Sequence, residues 1–379
     1  MNRRLAHEMG RVGTGEWEVT SAAPHFFHGG NDLRPSRLQP LPDESCPLVR
    51  LPAFLTRKTH VFFYGIRLRS LLAEKWDLVH AWEEPYILAG GQIAWWTRPG
   101  TALVYRTAQS YDKRYPFPFD RIERYSMSRA AGWICSGQTV ANALGSRPGY
   151  AGRPMRRIPL GVDLDLFRPD PTAGSAVRRS LGWEPDGPPV VGYLGRFVRE
   201  KGLDLLMRVL DRLRVPWRAL FVGAGPMEVD LRRWAAGRGD QVRICTSVHH
   251  EDAPRYVNAM DLLCAPSQTA HNWREQFGRM LIEAFACGVP VVGSSSGEIP
   301  YVIRNAGVVV EERDEDAWCR ALEELLSSPR RRAEFREQGL DRARHEYAWP
   351  VIAYQYLKFF EEILADQQNA VPRAKGERL

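Results

Sequence analysis

Short apolar or β-branched runs alternate with helix-period segments along most of this chain. That alternation narrows the fold more than any other feature. The candidate strands are Glu16 to Thr20, Asp77 to Ala81, Ala102 to Arg106, Gly132 to Cys135, Val190 to Leu194 and Ala219 to Val222. Four more follow at Val242 to Cys245, Leu262 to Ala265, Pro290 to Gly293 and Gly307 to Val310. Between two of them, Leu203, Leu206, Val209, Leu210 and Leu213 fall on one helix face. Strand, helix and strand in succession imply parallel sheets with right-handed crossovers. At 379 residues the chain suits two such α/β domains better than one core. A Pro-, Gly- and Ala-rich stretch, Phe167 to Gly174, precedes the series that opens at Val190 and reads as a linker. The expected division is residues 1–168 for an N-terminal domain and 169–349 for a C-terminal one. An amphipathic helix over 350–367 is expected to pack back on the first domain. The polar tail beyond it is expected to fray.

Composition excludes some classes. With 44% hydrophobic and 26% charged residues, the chain reads as globular. Its net charge of +7 favours anionic partners, although a basic surface kept for solubility explains it equally well. The basic residues form no run of five, which gives nucleic-acid binding little support. Cys46, Cys135, Cys245, Cys264, Cys287 and Cys319 form no C-x-x-C pair, so free thiols in a reducing compartment are expected. No apolar region follows Asn2-Arg3-Arg4, and no run approaches the roughly 20 residues of a membrane span. The cytoplasm is the default location.

The chemistry points to the C-terminal half. A strand ends at Leu194, and Gly195 lets the backbone turn where ligands bind in open α/β sheets. Arg196 can fork onto phosphate oxygens, and Lys201 adds a point charge. Taken alone, that pattern is more often a solvated turn. The stretch Glu275 to Pro290 carries more weight. It reads as loop, helix from about Gly278, a Gly288 cap and a buried strand. The amides of about Arg279 to Leu281 lack partners inside the helix and form an anion site suited to a diphosphate. Glu275 lies just ahead of that helix. Glu283 lies one turn in, on an apolar face, where a carboxylate needs hydrogen-bond donors such as ribose hydroxyls.

Other strings are weaker. Gly223-Ala224-Gly225-Pro226 reads as a turn lining the pocket. His249-His250-Glu251-Asp252 could suggest a metal, but adjacent loop residues share one ion poorly, so Asp252 is expected to cap the next helix. Asp163-Leu164-Asp165 and Asp314-Glu315-Asp316 are not read as metal clamps. No metal and no cofactor is expected. A dinucleotide-binding oxidoreductase is disfavoured, because no strand leads into G-x-G-x-x-G.

These residues resemble the family-4 retaining glycosyltransferases of GT-B fold. The matching pieces are Gly195-Arg196-Phe197, Glu200-Lys201-Gly202, Gly223 to Pro226, Ala265-Pro266-Ser267, the E-x7-E element Glu275 to Glu283, and Gly297-Glu298-Ile299-Pro300. Order and spacing fit over roughly residues 155 to 345. The resemblance implies two Rossmann-like, doubly wound domains facing across a cleft. It implies a hexose moved with retention from a nucleotide-diphosphate sugar to a glycan or lipid-linked acceptor. By it, Arg196 and Lys201 hold the diphosphate and Glu275 meets the donor sugar, these three being the catalytic candidates. Gly195, Phe277, Gly278, Met280 and Leu281 add donor contacts, Glu283 binds the ribose, and Val248 lies against the base.

The N-terminal half resembles the family more loosely, at Asp77 to Tyr86, Gln109 to Phe119 and Ile158 to Pro169. Glu84, Gln109 and Arg114 are acceptor-side candidates by position alone. Gln109 stands where many relatives carry His, so no histidine role transfers. Arg3 to Met9 already reads as the family's first helix and Glu16 to Thr20 as its second strand, so the first strand is expected to be absent. A non-catalytic remnant that binds nucleotide sugar is therefore the alternative. Arg57 to Trp76 mixes basic and apolar residues. It is read first as a helix packed on the N-terminal sheet, and second as a basic amphipathic helix lying on an anionic membrane at its cytoplasmic face.

Overall fold

Apolar strands hidden on both faces need helices on both sides, and the chain meets that need twice. The computed structural model describes residues 2–29, 35–41 and 44–370. They divide into one unit of Met1–Pro159 with Trp349–Leu379, and a second unit of Leu160–Ala348.

In the first unit, helix α1 (Asn2–Val12) leads to strand β1 (Ser21–Pro24), which pairs in parallel with β2 (Leu48–Leu51). A separate parallel sheet holds β3 (Leu78–Ala81), β4 (Ala102–Thr107), β5 (Gly132–Cys135) and β6 (Met155–Arg157), in the order β6-β5-β4-β3. Helices α2 (Ile66–Leu72) and α3 (Leu88–Trp96) lie between β2 and β4 in the chain. The C-terminal helix, Trp349–Ala370, packs with α1 over Ala102, Val104 and Ile134.

The second unit holds one six-stranded parallel sheet. Its strands are β7 (Val190–Leu194), β8 (Arg218–Val222), β9 (Val242–Cys245), β10 (Leu262–Ala265), β11 (Val291–Ser294) and β12 (Gly307–Val310). Their order, β9-β8-β7-β10-β11-β12, reverses direction between β7 and β10. Such a reversal opens a crevice at the strands' carboxyl ends, where ligands bind. Helix α4 (Leu203–Arg212) buries Leu203, Leu205, Leu206, Val209 and Leu210 on this sheet. Each of those side chains contributes about 1.5–3 kcal/mol by leaving water. Helix α5 (Arg279–Cys287) is buried at every position from Met280 to Cys287.

Several expectations are corrected. The first strand of the described chain is Ser21–Pro24, not Glu16 to Thr20. Glu16 ends a turn in which its amide and that of Trp17 donate to the Gly13 carbonyl, and Trp17 to Thr20 lead from it into the strand. β2 had no counterpart in the sequence reading. Arg57 to Trp76 is not one helix. Turns lead to a short ladder between Phe63–Tyr64 and Ala53–Phe54, and only Ile66–Leu72 is helical, with Leu68 and Leu72 buried. Phe167 to Gly174 is not a linker. Phe167 sits in the core of the second unit, and Asp170 caps the helix Pro171–Ser180 by accepting from the Ala173 amide at 2.8 Å. The two units part at Pro159/Leu160, ahead of the expected 168/169. Asp252 precedes the helix Ala253–Val257 but makes no side-chain cap bond.

Gly202 marks how tightly the turns pack. Its φ is +72°, and an added Cβ would lie 1.8 Å from the Pro266 carbonyl oxygen. Gly202→Ala should therefore cost about 2–3 kcal/mol in urea denaturation. Gly237→Ala, where an added Cβ meets nothing within 4 Å, should stay within about 0.5 kcal/mol of the native chain.

Candidate active site

The site is built by turns that follow β7, β10 and β11. Gly195, directly after β7, has a φ of +155°, and its amide donates to the Val222 carbonyl at 3.0 Å. The next residue, Arg196, is exposed, and its carbonyl accepts from the buried Tyr193 hydroxyl at 2.7 Å. Burial raises the Tyr193 phenol, and the charge of Glu275 raises it further, so Tyr193 stays a donor. Lys201 closes a short turn, Arg199–Lys201, ahead of α4.

Lys201 and Glu275 meet. Lys201 Nζ lies 2.5 Å from Glu275 Oε2, with only 14% and 8% of the two side chains exposed. Ser267, in the turn after β10, donates to the same oxygen at 2.8 Å. The Trp273 ring lies 5.2 Å from Lys201 Nζ, close enough for a cation–π contact. The backbone of Glu275 is fixed as well. Its carbonyl accepts from the Glu298 amide at 3.0 Å, and Gly297, at φ +56°, comes so close that an added Cβ would lie 2.0 Å from that oxygen.

Two residues on, Phe277 is buried and Gly278 takes a left-handed conformation, φ +79°, at the head of α5. The Leu281 amide turns back to the Gly278 carbonyl at 2.9 Å. The expected row of partnerless amides is thus shortened by one. At the far end Gly288, also left-handed, caps the helix as expected. Phe277, Met280 and Leu281 join one core cluster, and Val248 packs against it. Glu283 is 6% exposed, and its carboxylate accepts from Arg279 Nε at 2.9 Å. Burial pushes the Glu283 carboxyl up, and the Arg279 charge opposes this only in part.

On the first unit, Glu84 and Gln109 come together. Glu84 accepts from the Thr107 hydroxyl at 2.7 Å and from the Ala108 amide at 2.8 Å, and the Gln109 amide donates to Thr107 Oγ1 at 3.4 Å. Burial raises the Glu84 carboxyl, and those hydrogen bonds offset part of the rise. Tyr115 stacks on Tyr86, with ring centroids 4.0 Å apart. Arg114 lies on the exposed stretch beside Tyr115. Ser267, Tyr193 and Trp273 had no assigned role in the sequence reading. Nothing in composition marks Ser267 or Tyr193, whereas Trp273 stands out as a tryptophan among the polar residues ahead of Glu275.

Two family models match this chain in series. "Glycosyltransferase Family 4" matches residues 22–166, and "Glycosyl transferases group 1" matches residues 179–342. The two matches fall one on each α/β unit, and the fold is that of the GT-B class.

Among similar proteins is a GDP-mannose-dependent alpha-(1-6)-phosphatidylinositol monomannoside mannosyltransferase of Mycolicibacterium smegmatis. It is 37% identical over 204 residues, 52% of this chain and 53% of that protein. A GDP-mannose-dependent monoacylated alpha-(1-6)-phosphatidylinositol monomannoside mannosyltransferase of Corynebacterium glutamicum is 33% identical, over 56% of each chain. A D-inositol 3-phosphate glycosyltransferase of Salinispora tropica is 28% identical over 78% of this chain and 66% of its own. The chain spans about half to two thirds of the length of these curated relatives. Among solved structures, sucrose-phosphate synthase from Thermosynechococcus elongatus superposes with a TM-score of 0.69 at 22% identity, covering 96% of this chain and 93% of that one. Anabaena HepE in complex with UDP-glucose gives 0.65 at 20% identity, covering 78% and 82%. These likenesses carry the fold. Matches through both halves do not favour the alternative of a non-catalytic remnant.

The Lys201–Glu275 pair is testable. Breaking a buried ion pair by removing one partner costs about 3–5 kcal/mol, because the other charge stays buried. Lys201→Ala should fall at or just below the lower end, since Ser267 still serves Glu275. Lys201→Ala/Glu275→Ala should cost clearly less than the two single changes together. Additive losses in a denaturation double-mutant cycle would show that the pair is not coupled.

Proposed function

We propose that this chain transfers a hexose, with retention of anomeric configuration, from a nucleotide-diphosphate sugar to a glycan or lipid-linked acceptor. The observation that carries this reading is the cluster at the switch point: Lys201 on Glu275, the Gly278-led helix and buried Glu283 in consecutive turns. In this reading the diphosphate lies ahead of α5, toward the amides of Arg279 and Met280. Gly195 admits it, and Arg196 and Lys201 supply the positive charge. Glu275 Oε2 is taken by Lys201 and Ser267, so Oε1 is assigned to the donor sugar hydroxyls. The Phe277, Gly278, Met280 and Leu281 backbone borders sugar and phosphate. Val248 lies against the base, and Glu283 leaves Arg279 to accept from the ribose. The bond from sugar C1 to the diphosphate oxygen breaks, its electron pair leaving with the phosphate. The acceptor hydroxyl attacks on the same face and passes its proton to a departing phosphate oxygen. The cations of Arg196 and Lys201 stabilise that leaving group, so the reading assigns it no metal.

GDP-mannose is the first donor to try, because relatives at 33% and 37% identity are named for it. Inositol-phosphate acceptors come first for a parallel reason. Glu84, Gln109 and Arg114 are assigned to the acceptor side. A thermal-shift panel of GDP, UDP, ADP and dTDP tests the donor site. At 100 times its dissociation constant, a nucleotide that binds only the folded state adds about 2.7 kcal/mol. One base should give that shift. Glu283→Gln should weaken its binding at least tenfold while leaving the nucleotide-free melting temperature equal or higher. No shift with any nucleotide, in a chain that melts cooperatively, would overturn the reading.

Peripheral contact with an anionic membrane at the cytoplasmic face belongs to the same proposal. No helix among the described residues is long and apolar enough to cross a membrane. The first unit exposes Phe54, Leu55 and Ile66 at 51%, 59% and 68%, beside Arg57, Lys58 and Arg67. Apolar tips ringed by cations suit an acidic lipid surface. The chain should float with phosphatidylglycerol vesicles and not with phosphatidylcholine alone, and Leu55→Asp/Ile66→Asp should abolish flotation. Equal flotation of that variant would remove the assignment.

A further inference from the structure

One residue of the second unit ties together the turns that follow β10, β11 and β12. Strand β12 ends at Val310, and Glu312 follows it by two positions, part-buried beside the exposed Glu311. Its carboxylate crosses to the turn after β10. The Thr269 amide donates to Glu312 Oε2 at 2.5 Å, and the Thr269 hydroxyl donates to Oε1 at 2.5 Å. The Glu312 carbonyl accepts from the Gln268 side-chain amide at 2.5 Å. Its own amide donates to Ser295 Oγ, in the turn after β11, at 3.2 Å. Because β11 lies between β10 and β12, this clamp spans two strand spacings, about 10 Å. A glutamate has the reach, and its two oxygens hold an amide and a hydroxyl of one residue at once.

From the clamped turn, two lines of contact run to the site. A hydroxyl carries one hydrogen, so Thr269, donating to Glu312, can only accept from Ser296 Oγ, 3.0 Å away. Ser296 Oγ in turn accepts from the Glu275 amide at 3.5 Å. The relay therefore has one direction, from the Glu275 main chain through Ser296 and Thr269 to Glu312, and each bond polarises the next. The second line serves Lys201. The Gln268 amide donates to the Glu200 carbonyl at 2.8 Å, directly ahead of Lys201. The same turn brings Ser267 to Glu275 Oε2. Both members of the Lys201–Glu275 pair thus rest on the turn that Glu312 holds.

We propose that Glu312 is a positioning residue, which sets Glu275 and Lys201 for the donor and acts through them. What it does for the donor rests on the transferase reading above. A catalytic group displaced by about 1 Å can cost about 100-fold in rate. Loss of the carboxylate releases the Thr269 amide and hydroxyl, and with them the fixed direction of Ser296 and of the Glu275 main chain. The effect falls on turnover more than on nucleotide affinity, because the nucleotide contacts assigned to α5 and Glu283 lie outside the clamp.

Glu312→Gln keeps the size of the side chain and one acceptor oxygen. It is compared with Glu312→Ala and with Glu311→Gln as a control. The first measurement needs no substrate. The Lys201→Ala/Glu275→Ala denaturation cycle is run in the native chain and again with Glu312→Gln in every member. The coupling should fall by at least half in the second cycle. A Glu312 that only stabilises the fold lowers all four members equally, so unchanged coupling would overturn the proposal. The second measurement is kinetic, with GDP-mannose or UDP-glucose as donor, whichever the native chain turns over. In Glu312→Gln, kcat should fall at least tenfold, while the donor KM and the dissociation constant of the matching nucleoside diphosphate stay within threefold. Glu312→Ala should fall further, and Glu311→Gln should match the native chain. If Glu312→Ala does not melt cooperatively, Glu312→Gln carries the test. A kcat within twofold of native in Glu312→Gln would overturn the proposal, and so would a tenfold loss of nucleotide affinity with kcat kept. If the native chain turns over neither donor, the transferase reading fails, and the cycle alone decides on Glu312.

Discussion

The second unit depends on backbone approaching backbone more closely than a Cβ permits. Gly202 against Pro266, Gly223 against Gly195 and Gly297 against Glu275 each leave 2.0 Å or less between an added Cβ and a carbonyl oxygen. These contacts tie the turns after β7, β8, β10 and β11 into one layer at the carboxyl edge of the sheet. All three glycines have positive φ, so side chains are excluded by conformation as well as by space. The ion pair follows from that layer. Lys201 adjoins Gly202, and Glu275 carries the carbonyl that Gly297 approaches. The side-chain contact is therefore held by main chain on both sides and pays little ordering entropy when a ligand arrives.

Glu283 shows the opposite economy. Its carboxyl is raised by burial, so it binds its proton more readily folded than unfolded. The contribution to stability that comes with the proton is fully present below the unfolded value and is lost as pH rises through the folded one. At neutral pH the ionised group is carried at a cost that Arg279 only partly offsets. A buried carboxylate that weakens its own fold is the ground on which Glu283 is assigned to the ribose in the reading proposed above. The Lys201–Glu275 pair is satisfied within the protein, and Glu283 is not satisfied to the same degree. The two carboxylates, eight positions apart, thus differ in how far the protein's own donors serve them.

The second unit was readable because each of its signals has a local cause. Strands buried on both faces are short continuous apolar runs, and all six were found in place within a residue or so. Gly278 and Gly288 bracket α5 through their left-handed conformations, which the sequence states directly. What failed there needed tertiary information. Phe167 to Gly174 has a linker's composition, yet Phe167 is anchored in the core and Asp170 caps a helix. Ser267 and Tyr193 reach the site only through hydrogen bonds to residues 8 and 3 positions away, and nothing in composition marks them. In the first unit the misses were larger. Arg57 to Trp76 has helical spacing, but Gly65 and a two-residue ladder break it. Leu48-Val49-Arg50-Leu51, flanked by Pro47 and Pro52, gave too short a run to register as a strand.

The contrast between the halves has one physical root. A parallel strand is legible when it is covered on both faces and paired on both edges, because it must then be apolar throughout. β7 and β10 meet those conditions, each with a strand on either side. β1 meets neither. It is half-exposed, contains Pro24 and among the described residues is paired along one edge, so its sequence, Ser-Ala-Ala-Pro, carries no strand signal. β3 is apolar enough to be found, and its part-buried Leu78 and His80 line a cavity of about 530 Å³. An exposed parallel edge invites pairing with whatever extended chain reaches it.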